Sequence, residues 1–98
     1  MGSVTLVPTG IKEVKGIASV KVYPNPTNGI LNVSIELTAA QDLSVEIFNS
    51  IGQQMISKQY VNQSLVLETM DINSFAQGVY MVRVKANDNV KTIRLVKE

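Results

Sequence analysis

Along most of the chain, hydrophobic residues recur at every second position. Leu31, Val33, Ile35 and Leu37 alternate with Asn32, Ser34 and Glu36, the pattern of a strand that hides one face. Leu43, Val45 and Ile47 alternate with Ser44 and Glu46 in the same way, and Tyr80, Val82 and Val84 with Met81, Arg83 and Lys85. A last run sets Ile93 and Leu95 against Thr92, Arg94 and Lys97. Fainter strand signals cover residues 18–23, 53–60 and 64–70. The sum is seven short strands and no helix.

The intervals between the runs carry turn chemistry. Pro24-Asn25-Pro26-Thr27-Asn28-Gly29 ends the first strand: two prolines remove donors, and Asn-Gly tolerates positive φ. Asn49-Ser50-Ile51-Gly52 predicts a hairpin-type turn with Gly52 left-handed. Asn87-Asp88-Asn89 joins the last two strands. Residues 71–78 form a longer connection, with an Asx turn expected at Asp71 and with Ile72 and Phe75 placed to plug one end of the core. Tyr80 follows that connection at the start of a late strand, the position of the corner tyrosine in immunoglobulin-like folds. Half-apolar strands with no helix to cover them favour two stacked sheets. The expected fold is all-β: an immunoglobulin-like antiparallel β-sandwich of about seven strands.

The first residues depart from this pattern. Met1-Gly2-Ser3 reads as a start added for expression, with no basic and apolar leader behind it. Residues 4–16 read as a linker from a preceding cargo domain, because Pro8-Thr9-Gly10 interrupts Val4-Thr5-Leu6-Val7 and no clear period follows. The competing reading pairs Val4 to Val7 onto a sheet edge. Residues 17–98 are the expected domain, one core in a chain of 98 residues.

Composition narrows function mainly by subtraction. Net charge is +1 and the basic residues form no stripe, so neither nucleic acid nor a membrane surface is indicated as partner. No run approaches the ~20 apolar residues that span a bilayer. The chain has no histidine and no cysteine, hence no general base of the commonest kind, no thiol nucleophile and no thiolate metal site. Glu36 and Glu46 fall on polar strand faces, and Gly52 and Gly78 stand outside any phosphate-binding loop. The expectation is a non-enzyme with no cofactor and no metal.

Four stretches in order carry a resemblance: Tyr23-Pro24-Asn25-Pro26 with Gly29; Asn49 with Gly52-Gln53; Gly78-Val79-Tyr80-Met81-Val82-Arg83-Val84; and Lys91 with Leu95-Val96-Lys97. Together they resemble the type A C-terminal sorting domain of the type IX secretion system of Bacteroidota, over about residues 20–98. The resemblance implies a secretion address that directs a cargo protein across the outer membrane and is then removed. The partners it implies are an outer-membrane shuttle, the translocon and a surface sortase, and the locations it implies are the periplasm in transit and then the cell surface or the medium. Mapped onto this chain, the recognition motifs comprise Pro24, Asn25, Pro26 and Gly29; Gly78, Tyr80 and Arg83; and Lys91, Arg94, Leu95, Val96 and Lys97. The Pro-Asn-Pro-x-x-Gly turn either sets the angle between strands or is itself read. Gly78 and Tyr80 have an architectural reading, whereas Arg83 and the tail are recognition candidates, the tail as an accessible final strand offering Lys91, Arg94 and Lys97 outward. The cut is expected in a flexible stretch that includes Val14, Lys15, Gly16, Ile17, Ala18 and Ser19. Open strand edges predict a weak homodimer. Two rival readings are an adhesive or carbohydrate-binding module and a passive spacer. The first lacks tryptophan for a sugar platform, and the second gives no reason for the order of motifs.

Overall fold

A computed structural model describes residues 16–98. They form five strands: β1 (Ile17–Tyr23), β2 (Ile30–Phe48), β3 (Gln54–Asp71), β4 (Gly78–Ala86) and β5 (Asn89–Lys97). All pair antiparallel in one sheet of order β1-β2-β4-β5, with β3 along the other side of β2. The all-β class follows from the alternation, but the strand count is corrected from seven to five. Residues 31–37 and 43–47 belong to one strand, and the runs expected over 53–60 and 64–70 merge into another that begins at Gln54.

Bulges explain the difference. The β2–β3 register slips between Glu36 and Gln41 and again between Gln41 and Leu43. A bulge kinks a strand and raises its twist without ending it. Across the slip Asn62 takes a φ of 54°, a left-handed conformation that asparagine tolerates, and its N–H donates to Asp42 Oδ1 at 3.0 Å. Buried Gln41 fills the corner, accepting from Asn87 Nδ2 at 2.6 Å and donating to the Ala39 carbonyl at 3.2 Å. Both long strands keep the same face inward through the corner. One sheet curled on itself therefore takes the place of two separate sheets.

The enclosed core is a single cluster. Leu31, Val33, Ile35, Leu37, Leu43, Val45 and Ile47 from β2 meet Val66 and Met70 from β3, Tyr80, Val82, Val84 and Ala86 from β4, and Leu95 from β5. Ile72 is wholly buried below the β3–β4 connection, with Phe75 packed beside it, so these two close one end as expected. Its N–H donates to the Gly29 carbonyl at 2.7 Å. Tyr80 is a corner tyrosine: its hydroxyl donates to the Ala76 carbonyl at 2.7 Å, and its ring lies 5.4 Å from that of Phe75. Gly78 has a φ of 150° with open space where a Cβ would sit, so backbone conformation and not crowding calls for glycine there.

Among the described residues β3 pairs with β2 alone and forms an edge of the sheet. Its inward face is closed by a polar group in which Tyr60 donates to Glu68 Oε1 at 2.7 Å and Lys58 Nζ reaches Glu68 Oε2 at 3.3 Å. Inward charge of this kind blunts an edge against indiscriminate pairing. Its outward positions Met55, Val61, Leu65 and Leu67 are exposed.

Candidate functional site

Three of the four motif stretches meet at one place. The loop of residues 24–29 lies against the end of β5, and that end pairs with the start of β4, Gly78 opposite Lys97 and Tyr80 opposite Leu95. Both X-Pro bonds of the loop are cis. Thr27 is buried and donates its N–H to the Val96 carbonyl at 2.9 Å, while its own carbonyl accepts from Glu98 N at 2.8 Å. Its hydroxyl donates to the Ile30 carbonyl at 2.6 Å and accepts from Gly29 N at 3.2 Å, which sets the turn into β2. Asn25 adds a second attachment through its side chain: Nδ2 donates to the Arg94 carbonyl at 2.8 Å, and Oδ1 accepts from Val96 N at 3.1 Å.

Gly29 serves a purpose other than the expected positive φ. A Cβ at this position would collide with the side-chain amide of Asn73. Asn73 cannot easily move, because Asp71 Oδ1 accepts from both its N–H at 2.9 Å and its Nδ2 at 2.8 Å. The Asx turn expected at Asp71 thus exists and also fixes the neighbour that Gly29 must accommodate.

The structure revises how the tail is presented. Leu95 is fully buried and Lys97 nearly so, on the inward face, with Lys97 Nζ turned to the Glu98 carbonyl at 3.0 Å. Lys97 is therefore not offered outward with Lys91 and Arg94, and β5 is not open at its end, since β4 flanks one side and the loop the other. Lys91 and Arg94 are exposed, and alternation puts them on opposite faces. Arg94 stands on the outer face across from Met81, which is across from Phe48. Arg83 lies on this outer face too: Nη2 and Nε reach Glu46 Oε1 at 2.7 and 2.9 Å, and its guanidinium carbon sits 4.7 Å above the Phe48 ring. A half-exposed pair and one cation–π contact together contribute on the order of 1 kcal/mol. Arg83 thus supports the sheet face without deciding the fold.

The fourth stretch builds the β2–β3 turn beside that face. Asn49 Oδ1 accepts from Ile51 N at 3.1 Å and Gln53 N at 2.8 Å, and Gly52 has a φ of 88°. A shallow cavity of about 340 Å³ lies between this turn and Phe48, Met81, Arg83 and Thr92. The bonds of Thr27, the contact of Asn73 with Gly29 and the joining of Glu46, Arg83 and Phe48 are not legible in the sequence, because each depends on how the strands pair. Of the expected cut region, Val14 and Lys15 lie outside the described residues, as does the strand considered for Val4 to Val7. Gly16 is already bonded: its N–H donates to Thr38 Oγ1 at 2.8 Å, and its carbonyl accepts from Thr38 N at 3.0 Å. Ile17 and Ser19 pair with Leu37 and Glu36. Gly16 to Ser19 are therefore held against β2 and are not the flexible stretch expected of them.

Two carboxylates make the edge and the loop sensitive to acid. The Tyr60 hydroxyl holds Glu68 below the usual carboxylate range, with Lys58 helping against desolvation. The backbone and then the side-chain amide of Asn73 lower Asp71. A carboxylate whose pKa is lowered by folding adds stability that is full above its unfolded value, about 4, and is lost as pH falls through its folded value. Chemical unfolding should therefore give constant stability from pH 7 to about 5 and a decline below about 4. The double substitution Glu68→Gln and Asp71→Asn should flatten that decline, and an unchanged acid limb would contradict the assignment. Tyr60 moves oppositely: burial, then Glu68, pushes its phenol up, so its contribution is lost only on the alkaline side, above about pH 10.

Comparison with known proteins places this geometry. A family model described as a secretion system C-terminal sorting domain matches residues 21–98. An ulvan lyase, NLR42 of Nonlabens ulvanivorans, is 38% identical over 73 residues, covering 74% of this chain and 13% of that protein. The chain thus spans about an eighth of the length of the curated relative it matches.

Proposed function

Because the chain belongs to the family of secretion-system C-terminal sorting domains, we propose that its folded tail is the address read by the outer-membrane steps of that system. The domain is a C-terminal sorting signal of type IX secretion and not a catalyst, and it interacts with the secretion system. Proteins carrying such a tail pass to the outer membrane and cell surface or are secreted. The family match over residues 21–98 is the observation that carries this reading.

A β-barrel shuttle and the translocon engage the folded domain, and a surface sortase removes it. The loop residues Pro24, Asn25, Pro26 and Gly29 act with β5, and Lys91 and Arg94 are the side chains a receptor can reach. Gly78, Tyr80, Leu95, Val96 and Lys97 hold that surface in shape. Residues 17–98 are the sorting domain, and residues 4–16 join it to the cargo. The exposed edge of β3 supports weak self-association, tested by sedimentation at ~0.1–1 mM, where a weak pair registers; a strict monomer there contradicts it. The sugar-binding rival finds little support, since Tyr80 is buried, Tyr60 is bound to Glu68 and Tyr23 alone presents a half-exposed ring.

The cut is proposed to fall before Gly16. A protease binds its substrate as an extended, unpaired segment, and from Gly16 onward the backbone is hydrogen-bonded to β2. Mass spectrometry of the released domain should find its first residue at or before Gly16. A fragment beginning within β1 would show that the sortase peels the first strand away, against this proposal.

A further inference from the structure

We propose that Asn25 is a positioning residue of the sorting signal: its side-chain amide stands in for a backbone peptide and fixes the last strand, so the address is a folded composite of loop and β5, not a linear tail. This rests on the sorting-signal reading of the chain and names a part of it.

The hydrogen-bond pattern carries the inference. In a parallel ladder, a residue donates to the carbonyl before its partner and accepts from the amide after it. Thr27 does this around Lys97, through Val96 O and Glu98 N. Two residues earlier, Asn25 repeats the pattern around Leu95, through Arg94 O and Val96 N, but with its side chain. Side-chain atoms and main-chain atoms thus form successive rungs of one ladder. Pro24 and Pro26 flank Asn25 and have no N–H to offer. The rung needs one donor and one acceptor held together at short reach. Asparagine has both; aspartate lacks the donor, and glutamine is one methylene too long.

Asn25 is exposed, so the core does not require it. What it holds is the strand end whose outward neighbour Arg94 is a recognition candidate. Without it, residues after Arg94 would keep β4 on one side and only Thr27 on the other. An edge so loosened frays, and a receptor then meets a mobile peptide.

The test uses the whole chain and two variants, Asn25→Ala and Asn25→Asp. Hydrogen exchange is measured at the amides of Val96 and Glu98, with Val82 and Val84 as core references. A reporter with an N-terminal export signal, fused ahead of the chain, is followed in a type IX host. Asn25→Ala should exchange about tenfold faster at Val96 and Glu98 with the core unchanged and leave the reporter in the periplasm. Asn25→Asp, which keeps the acceptor for the Val96 N–H but sets a carboxylate oxygen against the Arg94 carbonyl, should fray the same end and lower delivery to a smaller extent. Tyr60→Phe, which removes a bond on the far edge, controls for general loss of stability and should still deliver. Faster tail exchange with normal delivery overturns the proposal, as does unchanged exchange in both variants. If Asn25→Ala loosens the whole core and Tyr60→Phe fails equally in delivery, Asn25 acts through global stability alone and the proposal also falls. Failure of the native chain to deliver overturns this proposal and the sorting reading together.

Discussion

A chain ending at Asn89, without the rest of β5, is expected to lose its cooperative unfolding transition altogether. β4 would be stripped of the partner that flanks it from Gly78 to Ala86. The core would lose Leu95, which is fully buried, and removal of one such side chain alone costs about 2–5 kcal/mol. Thr27 and Asn25 would lose the groups they bind, leaving the buried Thr27 N–H unpaired at about 1–3 kcal/mol. Domains of this size hold ~5–15 kcal/mol in all, so these losses together consume it. Denaturation followed by circular dichroism should show no sigmoidal transition; a transition near that of the whole chain would contradict the packing assigned to β5. The consequence for function is direct. A truncated tail that fails to sort shows only that an unfolded domain fails to sort, and finer substitutions are needed.

The neighbouring pair Leu95 and Arg94 supplies them. Leu95→Ala is expected to destabilise the domain by about 3 kcal/mol, because it opens a cavity between β4, β5 and the inner face of β2. Arg94→Ala, one position away on the outer face, is expected to change stability by no more than about 0.5 kcal/mol. Its side chain is exposed, and its bond to Asn25 uses the carbonyl, which the substitution keeps. If the outer face is what a receptor reads, Arg94→Ala lowers delivery with the fold intact, whereas Leu95→Ala lowers both in step. Equal stability losses for the two would contradict the inward and outward assignment of β5. Normal delivery by Arg94→Ala would remove that residue from the recognition surface.

Much of the fold was legible because period-two alternation is a local signal. Every strand of the structure contains a run that the sequence marks, and Asn49, Gly52 and Asn87 occupy the turns expected of them. Strand continuity was harder to see. No glycine or proline separates Leu37 from Leu43, and six residues, an even number, keep the same face inward; both facts argue for one strand through a bulge. Counting alternating runs as strands turned five into seven. The second sheet is expected because half-apolar strands with no helix need a cover, and one sheet curled on itself supplies that cover instead.

The candidate site was legible only in part, for a different reason. Motif order showed which segments matter but not which groups meet, since pairing between residues some 70 apart is set by the fold. A lysine is rarely buried, yet its place two residues after Leu95 puts Lys97 on the inward face. Asn25 and Thr27 were seen as turn residues, and their role as rungs against β5 depends on how the sheet curls. The bonds that hold Gly16 to Thr38 leave no local signal, because they use the glycine backbone.

A chain that carries the address for type IX secretion delivers a foreign protein only where that system is intact. The most direct measurement places a reporter with an N-terminal export signal ahead of residues 4–98, in a host with the system and in an otherwise identical host lacking the outer-membrane translocon. The reporter is expected at the surface or in the medium of the first host, and in the periplasm of the second. The same location in both hosts would contradict it.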